Sequence, residues 1–520
     1  MKDVKCRSLH GAGEHCMKSL RILASSQTNL SRNRLSRVPR KRESLVLLLL
    51  LFTGSSQWFF AAYGISTQGT EKKYLLAFFE FEDLTHAKSI DELREIAVTQ
   101  VQSYYEQVSY GKLKVTADIV ERWIKLPIKV KEMKVFEWDY DQDQMRSLDS
   151  NARQALSQLG IGAIGYAIKF VVYAGKVWGH ARSDYGMSFM NEFQKTGVYR
   201  HELGHVLELP DLYSYRLATE GKPSGVWVGP WDLMSWGGRG GLSAWSLIKV
   251  DWIDQERIVD VRGEFEGTFV IDALGNLSGR VHVARVHIPG TSQDYYIEVR
   301  EKIGADADMY SDWYPKLRVG VLIYLVNAQG DPREGQIRVI DSHPGSYTDP
   351  EDDLLDAPFN LGKNENVTMI NRLKGVSIIV LGKFGYSYKI LLGRASVADK
   401  ATEANTILVQ AEDAVAKAER EFRTNGLDIA RAQLANARSA YGQAQFADAI
   451  SRAREAIGSA NAASEVPTTF TTSSATTSSA PLSELPLIPA QPNVLVYAIV
   501  AAGIAAGVVL ITLRKRKSRR

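Results

Sequence analysis

Cysteine is almost missing from this chain. Cys6 and Cys16 are its only two, and both precede the first strongly apolar run. Nothing after that run can form a disulfide, offer a thiolate to a metal or block a metal through a cysteine switch. Basic charge is missing from the body as well. The formal charge of +4 comes from two basic ends, residues 1–43 and 514–520, and what lies between is net acidic. Nucleic-acid-binding bodies carry a basic patch, so this distribution excludes that class of partner.

Charge of either sign is scarce in three stretches. Residues 494–513 form a run of 20 uncharged, mostly apolar residues followed by Arg514, Lys515, Arg516 and Lys517. That length matches a membrane-crossing helix, and the basic flank puts the tail inside and the rest outside. The expected location is therefore the cell membrane, with one C-terminal transmembrane helix and an extracellular catalytic domain. Residues 465–493 are rich in Thr, Ser and Pro and cannot bury a core, which predicts a disordered stalk. Residues 45–52, behind Arg40, Lys41 and Arg42, read as a signal peptide, or as an anchor if the apolar run continues through 58–62.

What is present is concentrated at residues 201–213, HELGHVLELPDLY. His201 and His205 are four apart, which puts two imidazoles on one helix face about a turn apart. Two neutral imidazoles so placed bind one Zn²⁺ and leave room for a third ligand and a water. Glu202 is adjacent, where a general base acting on that water must sit. Pro210 ends the helix, and the turn it forces can return Asp211 as the third ligand. Tyr199, Leu203, Val206 and Leu207 make a separate apolar stripe, so the histidines need not serve the core.

Some twenty residues on, 229–237 read GPWDLMSWG. Together the two stretches resemble the immune inhibitor A family of secreted zinc metallopeptidases, which carry an HExxHxxGLPDxY-like helix and a WDxMS-like turn. Residues 103–115, SYYEQVSYGKLKV, are similar to that family's N-terminal catalytic half. The resemblance covers roughly residues 73–341. It implies a metzincin-like zincin fold, peptide-bond hydrolysis, and a structural Met-turn with Met234 under the metal. One position departs from the pattern: Glu208 stands where the family has Gly. A non-Gly residue in a left-handed turn is disfavoured by about 1–2 kcal/mol. Glu208 also falls on the histidine face, as a partner of the ligands or a rival ligand. Tyr213 or Tyr215 is a candidate donor to the developing oxyanion, and the sequence does not rank them.

In chain order, residues 73–82 read as a buried strand, and Ser89 with Glu92 has capping-box spacing for a helix reaching about 108. Residues 112–126 read as strands, 148–159 as a helix, 166–173 as a strand and 242–253 as a short helix. Short alternating strands follow over 254–395. Helical spacing then runs over 396–464, predicting two or three helices that act as a spacer or as a docking module for another surface protein. Asp139, Asp141 and Asp143 alternate as in a calcium loop but lack its glycine and closing Glu. They and the acidic stretch Asp349, Glu351, Asp352, Asp353 and Asp356 read either as Ca²⁺ sites or as solvated loops. His282, His287 and His343 are isolated and read as surface or structural.

The expected architecture has seven parts. Residues 1–66 are a basic region with the signal peptide or anchor, 67–253 an α+β zincin-like metallopeptidase domain, and 254–395 a β-rich domain. Residues 396–464 are a small all-α helical module, 465–493 the stalk, 494–513 the transmembrane helix and 514–520 a cytoplasmic tail. The expected function is a cell-surface zinc-dependent endopeptidase that hydrolyses protein or peptide substrates by a zinc-activated water, with Glu202 as general base. The competing reading is a catalytically inactive surface adhesion or binding protein on a peptidase scaffold.

Overall fold

The computed structural model describes residues 70–465 except 138, 163–164, 183–185, 236–239, 264–265, 311–315 and 351. The first part runs β1 (Thr70–Phe81), α1 (Ile90–Arg94), α2 (Gln100–Val108), β2 (Leu113–Leu126), α3 (Gln142–Gln158), β3 (Ile168–Tyr173), β4 (His180–Arg182), β5 (Met187–Asn191) and α4 (Thr196–Val206). Its five strands lie in the order β2-β1-β3-β5-β4, all parallel except that β4 runs antiparallel to β5.

β1 is central, and its run from Tyr74 to Phe79 is buried throughout because both faces of the sheet are covered. Strand period two divides the labour. Tyr74, Leu76 and Phe78 share a core with Tyr105 of α2 and Tyr199 and Leu203 of α4. Leu75, Ala77 and Phe79 face Met145, Leu148, Ala152 and Leu156 of α3 on the other side. The capping box at α1 forms as its spacing predicts: Glu92 N–H donates to Ser89 Oγ, and Ser89 N–H to the Glu92 carboxylate at 2.9 Å. A π-helical turn, Glu95–Thr99, joins α1 to α2. Helix α3 starts earlier than its apolar spacing suggests, because Asp141 caps it by accepting the N–H groups of Asp143 and Gln144.

After α4 come α5 (Tyr215–Thr219), α6 (Ala244–Lys249) and the strands β6 (Ile258–Val261), β7 (Gly267–Asp272), β8 (Val283–His287), β9 (Gln293–Arg300), β10 (Gly320–Asn327), β11 (Ile337–Val339), β12 (Thr368–Asn371), β13 (Val376–Phe384) and β14 (Ser387–Arg394). They form a sheet of order β11-β10-β9-β8-β6 and another of order β12-β13-β14-β7. The two sheets close a sandwich over Ile297, Val299, Val321 and Ile323 from one and Ile378, Val380, Ile390 and Leu392 from the other. The alternate residues Tyr296, Leu322 and Tyr324 belong to the core of the first part. Three helices complete the chain, α7 (Ala395–Arg420), α8 (Leu427–Gly442) and α9 (Phe446–Ala462). Their alanine-rich faces pack on one another and on Ile379 and Leu381 of β13.

These cores correct the expected architecture. The described residues belong to a single compact unit of mixed α/β character with several sheets, in place of the expected α+β class, and the β sheets are shared between cores. The physical reason is that β9 and β10 are buried on both faces: Ile297, Val299, Val321 and Ile323 enter the sandwich, while Tyr296, Leu322, Tyr324 and the paired Glu298 and Arg300 lie on the other face, so their sheet is covered twice. The expected transmembrane helix is also corrected. Among the described residues no helix is long and apolar enough to cross a membrane. The 26-residue helix α7 alternates buried alanines with charged residues. The membrane keywords and the cell-membrane location rested on that helix, and the described residues give them no support. Residues 494–513, the stalk beyond 465 and the expected signal peptide lie outside the described residues.

Candidate metal centre

Helix α4 puts Tyr199 and Leu203 into the core and turns His201 and His205 toward a half-buried face. Its C-terminus carries the departure seen in the sequence. Glu208 adopts φ 62°, the left-handed conformation that the family pattern assigns to Gly. Glu208 N–H donates to the His205 carbonyl at 3.0 Å and Leu209 N–H to the Gly204 carbonyl at 3.2 Å. Those two bonds complete a Schellman closure, so the chain reverses without the glycine. The Glu208 side chain is exposed, and Glu208 is not among the residues that converge on the centre.

The reversal brings Asp211 back over the helix. Its Oδ1 lies 3.0 Å from His201 Nε2 and 3.4 Å from His205 Nε2. Ligands held about 2.0–2.1 Å from a tetrahedral ion lie roughly 3.3 Å apart. Among the described residues, His201, His205 and Asp211 are the one group of three or more such side chains spaced to hold a metal, with ligand atoms all within 4.8 Å.

The tautomers follow from the outer contacts. His201 Nδ1–H donates to the Leu233 carbonyl at 3.1 Å, and His205 Nδ1–H to the Leu209 carbonyl at 2.9 Å. A carbonyl only accepts, so each Nδ1 carries the proton and each Nε2 presents a lone pair inward. With both imidazoles neutral, two lone pairs and a carboxylate would face one another, a set that fits a divalent cation; when an imidazole is protonated, its Nε2–H donates to Asp211 instead. Asp211 is 5 % exposed. Burial opposes its ionisation, yet hydrogen bonds from His201, His205 and Tyr215 hold its carboxyl far below the usual range. For His205, burial is outweighed by the Asp211 carboxylate, the Leu209 carbonyl and Glu202, and its pKa is raised. Glu202 is half-buried, next to His201 and three residues before His205.

The tyrosines occupy distinct places. Tyr215 donates its hydroxyl to Asp211 Oδ2, and burial together with that carboxylate pushes its pKa up to about 12. That contact orients the Asp211 carboxylate. The Tyr213 ring lies 6.4 Å from the His201 ring and 5.4 Å from that of Tyr215.

The turn at Met234 packs against the backbone of the helix that carries the histidines. Met234 is fully buried, and its carbonyl accepts Leu212 N–H at 2.9 Å, which ties the turn to the residue after Asp211. Asp232 holds the turn in shape. Its Oδ1 accepts Met234 N–H at 2.8 Å, while Oδ2 accepts Ser243 N–H at 2.8 Å and the Ser246 hydroxyl at 2.7 Å. Helix α6 is anchored in turn by Glu298 of β9, which accepts Ala244 N–H at 2.6 Å and pairs with buried Arg300 at 2.8 Å. Sequence reading assigned nothing to Asp232, Glu298 or the Leu209 and Leu233 carbonyls. Asp232 lay inside the quoted motif, but carbonyl acceptors leave no trace in residue identity. Trp231 is core, its indole donating to the Leu354 carbonyl at 2.7 Å, and Trp236 lies outside the described residues.

Five of the acidic candidates make local contacts. Asp141 is a helix cap, Asp139 pairs with Lys134 at 2.7 Å and Asp143 with Arg146 at 2.8 Å. Asp353 accepts the N–H groups of Gly345 and Tyr347, and Asp356 the Ser346 hydroxyl. Of the isolated histidines, His282 accepts from Arg257, His287 bonds Asp294, and His343 bonds the Asp356 and Asn364 carbonyls. No protein-family model matches the chain, and no curated protein matches it.

Proposed function

We propose that the chain is a zinc-dependent endopeptidase. The observation that carries this reading is the convergence of two Nδ1-protonated imidazoles and one buried, ionised carboxylate, with Glu202 beside them. His201, His205 and Asp211 would hold the ion. A zinc ion in such a set supplies Lewis acidity and lowers the pKa of a water toward ~7. The remaining work belongs to the chain. Glu202 accepts a proton from the attacking water and returns it to the leaving amine. The Leu233 and Leu209 carbonyls hold the imidazoles in register through both steps, and Tyr215 keeps Asp211 oriented. Strand β4 pairs only with β5 among the described residues, and its outer edge offers backbone groups to an extended peptide. The resemblance to immune inhibitor A-type peptidases supports the same reading. The adhesion-protein alternative drew on Glu208, and the turn there delivers Asp211 without glycine.

The test pairs zinc stoichiometry with casein cleavage in the wild-type chain and in Glu202→Ala. One zinc in both proteins, with cleavage lost by at least about 100-fold in the variant, is expected. Retained proteolysis in Glu202→Ala would overturn the mechanism, and absence of zinc from the wild type would overturn the reading.

A further inference from the structure

We infer that Arg333 is a specificity residue of this site, selecting peptides that carry a carboxylate side chain near the scissile bond. The inference rests on the endopeptidase reading. Arg333 comes from the connection between β10 and β11, far from the HELGH helix in sequence. That hairpin is tied to the site side of the molecule by Val339 N–H, which donates to the Trp227 carbonyl at 2.8 Å. The turn at its tip is closely bonded. Asp331 accepts Arg333 N–H at 2.9 Å through its side chain and Gln336 N–H at 3.0 Å through its carbonyl, and Gly335 takes the left-handed conformation.

The turn holds the Arg333 guanidinium 4.5 Å over the Tyr215 ring, and Tyr215 is the residue bonded to Asp211. His201, Tyr213, Tyr215 and Arg333 therefore make a continuous wall leading outward from the ligands. The charge on this wall is unspent. Among the described residues no carboxylate pairs with Arg333, whereas neighbouring Arg216 and Lys222 both pair with Glu220. Arg338 repeats the pattern: it stacks 4.3 Å over Trp227 and, among the described residues, donates to the Gly335 and Glu334 carbonyls. Stacking occupies the face of a guanidinium and leaves its edge N–H groups in the fork that matches a carboxylate. A peptide extended across the ligands sends alternate side chains to one side, where such a fork would meet them.

The experiment uses the full chain loaded with zinc and matched peptide pairs that differ by Glu or Gln at each of three positions on either side of the cleaved bond. The readout is the ratio of kcat/KM for the Glu and Gln members. We expect a ratio of about ten at one or two positions, the factor that corresponds to 1.4 kcal/mol. Arg333→Gln should bring that ratio to about one, Arg333→Glu should invert it, and Arg333→Lys should keep part of it. Because each ratio is internal to one protein, a general loss of activity does not alter it. Cleavage of the pairs with no preference for Glu, or a preference unchanged in Arg333→Gln, overturns the assignment and leaves the peptidase reading standing. Failure to cleave any peptide overturns both.

Discussion

The sulfur of Met234 lies directly against the backbone of Gly204, between the two histidines of the HELGH helix. A Cβ added at Gly204 would stand 2.5 Å from that sulfur and 3.3 Å from the Met234 Cε. The helix turn bearing His201 and His205 thus rests on the Met-turn at the one residue with no side chain to hold them apart. Gly204→Ala should cost about 1–3 kcal/mol through overpacking of a fully buried contact. It should also weaken zinc binding, because the Leu233 carbonyl that orients His201 belongs to the same turn. Thermal melting and zinc titration check this; an unchanged zinc affinity would show that the Met-turn does not position the ligands.

Glu208 is expected to tolerate what a regular helix position would not. It sits at φ 62° with an exposed side chain, and its turn is closed by backbone bonds alone. Glu208→Gly should be neutral or stabilising by up to about 1 kcal/mol, and Glu208→Val destabilising by about 1–2 kcal/mol. Zinc content should stay the same in the glycine variant. If zinc is lost with Glu208→Gly, the side chain is a ligand and the assignment of Asp211 needs revision.

Tyr215→Phe removes the hydroxyl from Asp211 Oδ2 while keeping the ring under Arg333. Loss of an orienting hydrogen bond to a metal ligand typically lowers metal affinity 10–100-fold, and a drop of about that size is expected here. The measurement is competitive zinc titration. Full zinc affinity combined with loss of turnover would instead make Tyr215 a donor to the reacting carbonyl.

Stability should fall as the pH drops below about 6.5, partly through His282. This residue is 0 % exposed, and its Nε2 accepts from Arg257 at 3.0 Å. Burial, and then the Arg257 charge, hold its pKa below 6.5. The unfolded chain takes up a proton near pH 6.5 while the folded chain resists it, so acid favours unfolding across that window. Denaturation midpoints at pH 7.5 and 5.5 should differ less in His282→Asn than in the wild type, by on the order of 1 kcal/mol. Equal differences in the two proteins would remove His282 from the account.

Local chemistry was legible wherever it is written in neighbouring residues. The spacing of His201 and His205 and the Ser89–Glu92 box each depend on contacts within a turn or two, whereas the helix stops at Val206, before Pro210, at the left-handed turn of Glu208. The strands β1, β3 and β10 were legible too, because their runs of apolar residues are long enough to read directly. The helical module was readable for the same reason, since its buried alanines recur at helical spacing along α7, α8 and α9.

Contacts between distant segments had to wait for the fold. Short strands such as β4 and β11 carry too few residues to show a period, and they exist because a neighbouring strand offers them partners. The pattern along the chain did not show that β9 and β10 are buried on both faces and join two cores, because that depends on what packs over each face. The sequence alone determined which side chains near residue 200 are fit to hold a metal, because ligand type and helical spacing are local properties. Only the tertiary structure decided which atoms face inward, through the Leu209 and Leu233 carbonyls, the Asp232 brace and the approach of Arg333. Those are through-space hydrogen bonds and stacking contacts, and residue order along the chain does not encode their partners.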